Sequence, residues 1–464
     1  MTEFGTGETI LVIGLGRSGQ ASVEVLRARG AVVYVVDEKP PEDLQDAIAA
    51  IQAMGARFVP PAELPALLET ITMAVLSPGV PLNGSLVREI QDANIAVFSE
   101  IEVAYRLCKA PIVAVTGTKG KSTTTSLIGH LLAQTGKKVH VGGNIGNPLI
   151  REVGDAAAED WVVAEVSSFQ LESIRSFRPR VSVILNISED HLDRYYSMDE
   201  YAEAKFRIFA NQSEQDFFVG NLDDPRVAAL DWHGGEPRMR ARQLWFTLEK
   251  NHERAAMYIR DGTIVFTPFS GDPRAIEIVS RDRTPLAGSH NVQNVMAALL
   301  AVLATGADPH TLADAVETFR PMAHRLQPAG EIGGVLFVDD SKATNPGSAI
   351  AALRAYDRPC VLIAGGKSKN TDFSELGRVI DERAKGLVVI GEAAEDIAQH
   401  VYRTPIERAD SMEDAVRRAL AMARPGWVVL LSPACASFDM FTSAEDRGQQ
   451  FVAAVASLPE PAGR

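Results

Sequence analysis

The stretch Thr116-Gly117-Thr118-Lys119-Gly120-Lys121-Ser122-Thr123-Thr124 collects residue types that bind phosphate. Glycines let backbone N–H groups close around phosphate oxygens, and a helix starting at Lys121 adds partial positive charge at its mouth. Lys121 suits the outer phosphates of a nucleoside triphosphate, and the Ser122 hydroxyl suits Mg²⁺. The apolar run Pro111–Val115 before the loop and the helix-like stretch to Leu132 after it complete a strand, turn, helix layout. Only Thr118 and Lys119 separate Gly117 from the Gly120-Lys121 pair, which makes this a shortened form of the general pattern. The alternative is a Gly/Thr-rich turn that merely joins a strand to a helix.

Further on, Glu165 closes the run Trp161–Val166 and is followed by Ser167-Ser168-Phe169-Gln170. A carboxylate at a strand end beside a phosphate loop is well placed to hold Mg²⁺. The run Val181–Leu185 leads into Asn186-Ile187-Ser188-Glu189-Asp190-His191-Leu192-Asp193-Arg194, where His191 sits among acids and suits a second metal or phosphate contact. Two Mg²⁺ ions would screen a triphosphate from an anionic nucleophile. Lys205, in the helical pattern Tyr201–Arg207, reads from spacing alone as a solvated helix lysine. Asn291 and Asn294 precede or open the apolar helix Val295–Leu303, and either cap it or contact a base edge.

Near the N-terminus, Gly14-Leu15-Gly16-Arg17-Ser18-Gly19 follows a strand and Asp37 closes the next one, which is the pattern of a dinucleotide site. Taken alone it suggests NAD; its core content is a nucleotide phosphate on a helix N-terminus, or a tight turn that needs glycine. Ser77-Pro78-Gly79 ends another strand of what should be the same sheet. Near the C-terminus three more strand ends carry polar groups: Asp339-Asp340-Ser341-Lys342-Ala343-Thr344-Asn345, Gly365-Gly366-Lys367-Ser368-Lys369 and Ser432-Pro433-Ala434-Cys435-Ala436-Ser437. Lysines at such ends suit a small carboxylated molecule.

These groups need a scaffold of strand ends. Short Val/Ile/Leu runs alternate with Ala-rich amphipathic stretches along the chain, which predicts α/β domains with mostly parallel sheets covered by helices. A length of 464 residues predicts about three domains, with limits at 1–108, 109–320 and 321–464. The expected architecture is a Rossmann-like N-terminal domain, a central P-loop ATPase domain with a parallel sheet and a small β-rich part, and a Rossmann-like C-terminal domain. Residues 214–283 read as that β-rich insertion. The composition, 46% hydrophobic and 23% charged, is that of a soluble globular protein. A formal net charge of −14 argues against broad nucleic-acid or anionic-membrane binding. The three scattered cysteines show no metal-ligand spacing and suit a reducing cytosol. No secretion signal opens the chain, and the longest apolar run, Val295–Ala304, is too short to span a bilayer.

Taken together, the blocks Thr116–Thr124, Glu165–Gln170, Asn186–Arg194, His290–Asn294 and His324-Arg325 resemble, in order and spacing, the Mur ligases, the ATP-dependent amino-acid ligases of bacterial cell-wall precursor synthesis. Asp339–Asn345 and Ser432–Ser437 resemble the D-glutamate-adding branch of that family. The resemblance covers essentially the whole chain. It implies a cytoplasmic, monomeric enzyme that uses ATP and Mg²⁺ and takes UDP-N-acetylmuramoyl-L-alanine and D-glutamate, with an acyl phosphate as intermediate. It demotes NAD: Ser18, Asp37 and Ser77 would lie near the UDP part of the substrate. Thr118, Lys119, Gly120, Lys121, Ser122, Thr123 and Thr124 would hold ATP phosphates. Ser122, Glu165 and His191 would serve Mg²⁺, and Lys205 would be the family's carbamylated lysine. Asn144, Asn291, Asn294, Arg325 and Asp340 would contact substrate or ATP, and Lys342, Thr344, Lys369 and Ser437 would bind D-glutamate. Lys121, His191, Lys205 and Arg325 would carry the catalysis. Two positions depart from the family pattern: Lys119 stands where Asn is frequent, and Ala444 where some members carry an aromatic residue.

Overall fold

The computed structural model describes all residues except 1–4, 191–193, 232–238, 250–252, 269–273, 287, 321–322, 357, 368–370 and 460–464. Three sheets organise the chain. The first contains β1 (Thr9–Ile13), β2 (Val32–Val36), β3 (Arg57–Phe58), β4 (Met73–Leu76) and β5 (Ala96–Ser99), all parallel, in the order β3-β2-β1-β4-β5. Successive side chains alternate between its faces. Ile10 and Val12 pack with Val23 and Leu26 of the helix Arg17–Ala28, whereas Leu11 and Ile13 pack with Leu86, Val87 and Ile90 of the helix Ser85–Asp92. Both faces being covered explains why these strands read as unbroken apolar runs.

The second sheet contains β6 (Ile112–Thr116), β7 (Val139–Gly143), β8 (Trp161–Glu165), β9 (Val181–Ile184), β10 (Phe217–Asn221), β11 (Arg242–Phe246), β12 (Ala255–Arg260), β13 (Thr263–Phe266) and β14 (Ile276–Ser280). Their order is β14-β13-β12-β11-β10-β9-β6-β8-β7. The expectation of a separate β-rich insertion at 214–283 needs correction. β10 pairs parallel with β9 and β11 parallel with β10, so this region extends the central sheet, and only β12, β13 and β14 form an antiparallel meander. The reason lies in burial: Phe218 and Trp245, edge to face at 5.4 Å, sit in the same core as Ile112, Ala114 and Val162. Individual strands were visible as β-rich pieces; their partner strands were not.

The third sheet contains β15 (Gln327–Ile332), β16 (Val335–Asp339), β17 (Cys360–Gly365), β18 (Ala384–Ile390), β19 (Ile406–Arg408) and β20 (Val428–Ala434), in the order β15-β16-β20-β17-β18-β19. Only β15 is antiparallel, at one edge. The helices Pro346–Arg354 and Ser374–Arg383 cover the face bearing Val338 and Leu362; Met412–Met422 and Ala444–Ala456 cover the face bearing Phe337 and Ile363. The fold is thus three α/β domains, as expected. By packing, the chain forms two compact units: Pro285–Val292 with Arg320–Arg464, and the rest, in which the first two sheets share one core. Among the described residues no helix is long and apolar enough to cross a membrane.

Candidate active site

The loop after β6 has the shape its sequence demands. Gly120 lies at φ 85° as N-cap of the helix Lys121–Gln134, and Gly117 at φ 148°. That left-handed φ favours glycine, and a Cβ there would also press on Oδ1 of Asn294, 2.3 Å away. Asn186 pins the loop from the end of β9: its carbonyl accepts from the Thr118 N–H (2.9 Å), its Oδ1 from the Lys119 N–H (2.8 Å), and its amide donates to the Lys119 carbonyl (3.0 Å). Lys121 folds over the loop, its Nζ donating to the carbonyls of Gly117 (3.0 Å) and Thr118 (2.8 Å). Ser122 is buried in the first helical turn, as is Thr124, whereas Thr123 is half-buried.

Glu165 ends β8 with its carboxylate buried beside this loop. Its Oε1 accepts from the Asn144 side-chain amide (2.8 Å), and its carbonyl accepts from the Asn144 N–H (2.9 Å). Its Oε2 is buried without a hydrogen-bond partner. Leaving such an oxygen unpaired costs about 1–3 kcal/mol, so this oxygen suits a cation. Among the described residues no cluster of three His, Cys, Asp or Glu side chains could hold a metal. His191 lies outside the described residues.

Lys205 overturns the reading from spacing alone. It is 2% exposed, on the buried face of the helix Met198–Phe206 one turn after Tyr201. Its Nζ donates to the Gly117 carbonyl (2.9 Å) and stands 4.5 Å from the Tyr201 ring centre. Burial, and then the positive charge of Lys121, hold its basicity well below that of an ordinary lysine, with Asp190 and Glu165 pulling the other way. An amine disfavoured as a cation is more readily available as a nucleophile than an ordinary lysine.

A cavity of about 520 Å³ opens at the C-terminal ends of the first sheet. Ser18, Asp37, Ser77 and Asn144 line it, together with Arg17, Lys39, Pro148 and Gln170. Asp37 fixes its floor, one oxygen accepting from the Leu15 N–H (2.7 Å) and the other from the Lys39 N–H (2.9 Å). Ser77 donates to the Gly14 carbonyl (2.9 Å). Asn144 both lines the cavity and holds Glu165, the last residue of β8. Behind its wall, Glu100 is fully buried and accepts from the Ile150 N–H at 2.6 Å; burial raises its carboxyl to about 7.

In the other unit, the ends of β16 and β20 meet. Asp340 accepts from the Ser432 hydroxyl (2.8 Å) and the Leu326 N–H (3.3 Å), and burial pushes its carboxyl up to about 7 against the pull of Ser432 and Arg325. Lys342 forms an ion pair with Glu445 at 3.2 Å. Ser437 is buried, Thr344 is exposed, and Lys369 lies outside the described residues. Asn291, also buried, belongs to this unit, whereas Asn294 packs on Gly120 in the first.

Sequence reasoning missed Arg447. It is wholly buried and donates to the Ser341 hydroxyl (3.0 Å) and carbonyl (2.7 Å) and to the carbonyls of Cys435 (3.1 Å) and Ala436 (3.3 Å), lacing two strand-end loops together. A signal existed. The buried positions of its helix are Arg447, Gly448, Phe451, Ala454 and Val455, so this arginine occupies an apolar stripe.

The arrangement is that of a multidomain ATP-dependent ligase, and the comparisons agree. The model of the Mur ligase MurD-like N-terminal domain matches residues 8–99, that of the Mur ligase middle domain 115–302, and that of the Mur ligase glutamate ligase domain 324–435. The chain belongs to the Mur ligase family, whose members are ADP-forming, amide-bond-forming ligases. Within it the chain is similar to the UDP-N-acetylmuramoylalanine--D-glutamate ligases of Pelotomaculum thermopropionicum (44% identity, 98% of each chain covered) and a Thermoanaerobacter species (41%, 97% of this chain and 99% of the relative). Solved structures share the fold at lower identity. A pseudomurein peptide ligase type C from Methanothermus fervidus covers 97% of this chain, with all of its own chain matched, at TM-score 0.60 and 18% identity. MurF from Acinetobacter baumannii covers 95%, with 93% of its own chain matched, at 0.61 and 18%.

Proposed function

We propose that this chain joins D-glutamate to UDP-N-acetylmuramoyl-L-alanine at the expense of ATP, in the cytoplasm, as a step of peptidoglycan precursor synthesis. The observation that carries the reading is full-length similarity at 44% identity to ligases named for that reaction, and a glycine-shaped loop at the mouth of the helix Lys121–Gln134, with Glu165 buried at the end of the neighbouring strand, supports it. In this reading the cavity on the first sheet takes the UDP moiety, with Ser18, Asp37 and Ser77 in its wall. The loop from Thr118 to Thr124 takes the ATP phosphates, and Asn291, Asn294, Arg325 and Asp340 complete the nucleotide contacts. Lys342, Thr344, Lys369 and Ser437 take D-glutamate. The domain limits are 1–108, 109–320 and 321–464, and the working form is a monomer.

Glu165, Ser122 and His191, with Lys205 once carbamylated, would hold Mg²⁺. The unpartnered Glu165 oxygen suits that ion. Bound Mg²⁺ would neutralise triphosphate charge. The substrate's alanyl carboxylate attacks the γ-phosphorus of ATP, releasing ADP and giving an acyl phosphate. The D-glutamate amine then attacks the acyl carbon, and phosphate leaves with the bond electrons while the amine loses a proton. Lys121 holds the phosphates in line, and Asn144 keeps Glu165 in place.

The test is phosphate release from ATP with Mg²⁺ and the UDP substrate, in the presence of D-glutamate, L-glutamate or no amino acid. Release that requires both the UDP substrate and D-glutamate is expected. Equal release with no amino acid, or with the L form, would overturn the reading. The buried Lys205 adds a second expectation. Its neutral amine captures CO₂ as a carbamate with loss of a proton, so enzyme stripped of bicarbonate should lose most of its ligation rate and regain it when bicarbonate returns. Lys205→Ala should show no such dependence, at a rate lower by about 10²-fold. Bicarbonate-independent activity of the unmodified chain would remove the carbamate from the scheme.

A further inference from the structure

Lys342 is already engaged by a carboxylate of its own chain. Its Nζ lies 3.2 Å from Oε1 of Glu445, with the two side chains 25% and 53% exposed. Hydrogen bonds link the backbones beneath them. Ser341, just before Lys342, donates from its hydroxyl to the carbonyl of Ala444, just before Glu445, at 2.7 Å. Arg447, one turn into the same helix, grips both the hydroxyl and the carbonyl of Ser341. The strand-end loop and the helix start are therefore tied to each other through the backbone, and the exchange asks for movement only of the two long side chains. Glu445 stays anionic there: its place in the first helical turn, first through its own backbone N–H and then through Lys342, holds its carboxyl below the usual range.

We propose that Glu445 is a stand-in for substrate, an internal carboxylate that occupies Lys342 until the carboxylate of the incoming amino acid displaces it. The proposal rests on the assignment of Lys342 to the amino-acid site made above. The chemistry on the page supports an exchange rather than a permanent clamp. One carboxylate replaces another on the same ammonium, so the ammonium is paired before and after the exchange. Glu445 is more than half exposed and passes to water when displaced, at little desolvation cost. Lys342 meanwhile never faces the site as a bare cation that would draw in any passing anion. A half-exposed pair of this kind is weak, so the competition lowers amino-acid affinity by up to about fivefold.

The experiment is a double-mutant cycle of Glu445→Gln and Lys342→Ala, read as KM for D-glutamate, with the KM for ATP and for the UDP substrate and the melting temperature as controls. Glu445→Gln is expected to lower the D-glutamate KM about two- to fivefold and to leave the other two KM values in place. In the Lys342→Ala background the same change is expected to do nothing, because the competition has lost its object. An unchanged or raised D-glutamate KM in the single Glu445→Gln variant would overturn the proposal, as would an effect that persists without Lys342. A purely structural Glu445 would shift the melting temperature and leave KM alone. If Lys342→Ala itself left the D-glutamate KM unchanged, the assignment of Lys342 would fail first, and the cycle shows which of the two has failed.

Discussion

Lys121→Ala is expected to cut ligation by about 10³-fold, with ADP formation falling in parallel. The lysine lies over the loop that the glycines shape, its Nζ resting on the Gly117 and Thr118 carbonyls. Removing it takes away charge that matters more as negative charge gathers on the transferred phosphoryl group, so kcat should suffer more than the KM for ATP. A second consequence follows from Lys205. The Lys121 charge helps keep the Lys205 amine neutral, and both side chains converge on the same Gly117 carbonyl. Without Lys121, Lys205 becomes more basic and less ready to take up CO₂. The double variant Lys121→Ala/Lys205→Ala should therefore lose less than the product of the two single losses. Steady-state ADP release for the four members of that cycle measures this. Near-normal ligation by Lys121→Ala would remove the loop from the phosphate site altogether.

Arg447→Leu is expected to be the most damaging change in the C-terminal unit. The guanidinium is fully buried, and its burial pulls it down to about 10, the sign of a cation held at a cost by its surroundings. It meets that cost with its planar fork, which satisfies the carbonyls of Ser341, Cys435 and Ala436 at once. Leucine would leave all three carbonyls buried without this donor. Removing one side of such a buried charged network costs about 3–5 kcal/mol, or a fall in melting temperature of roughly 10 °C for a unit of this size. The loops it laces together carry Lys342 and Ser437, so the D-glutamate KM should rise while the KM for the UDP substrate stays put. Lysine at the same place keeps the charge but not the fork, and should recover only part of the loss. Differential scanning calorimetry and the two KM values decide the matter. A normal melting temperature with a raised D-glutamate KM would mean that Arg447 acts on the ligand rather than on the loops.

Much of this protein could be read directly from its residues. Runs such as Ile112–Val115 and Val361–Ile363 announced buried parallel strands, because a strand covered on both faces must be apolar throughout. The glycines with Lys121 and Ser122 announced a tight turn from a strand into a helix, and the turn is there, with Gly120 left-handed at the helix mouth, because loop geometry resides in consecutive residues. Glu165 was legible for the same reason, as the last residue of a strand that opens toward that loop. The resemblance to the Mur ligases followed from the order and spacing of such local blocks, and the full-length relatives bear it out.

What tertiary structure alone decided concerns groups whose neighbours are far along the chain. The strand pieces beyond residue 214 looked like an insertion because pairing of β10 with β9 is a relation between segments, which composition does not encode. Spacing alone made Lys205 a surface lysine and only the family resemblance singled it out; its burial, the Gly117 carbonyl it meets and the Lys121 charge that adds to the effect of burial on its basicity come from the fold. Arg447 and Glu445 went unnoticed because their partners, Ser341 and Lys342, lie about a hundred residues back along the chain. A backbone turn is set within a few residues, so local sequence determines it. A pKa, an ion pair and a buried charge depend on everything within a few ångströms, and only the folded chain brings those groups together.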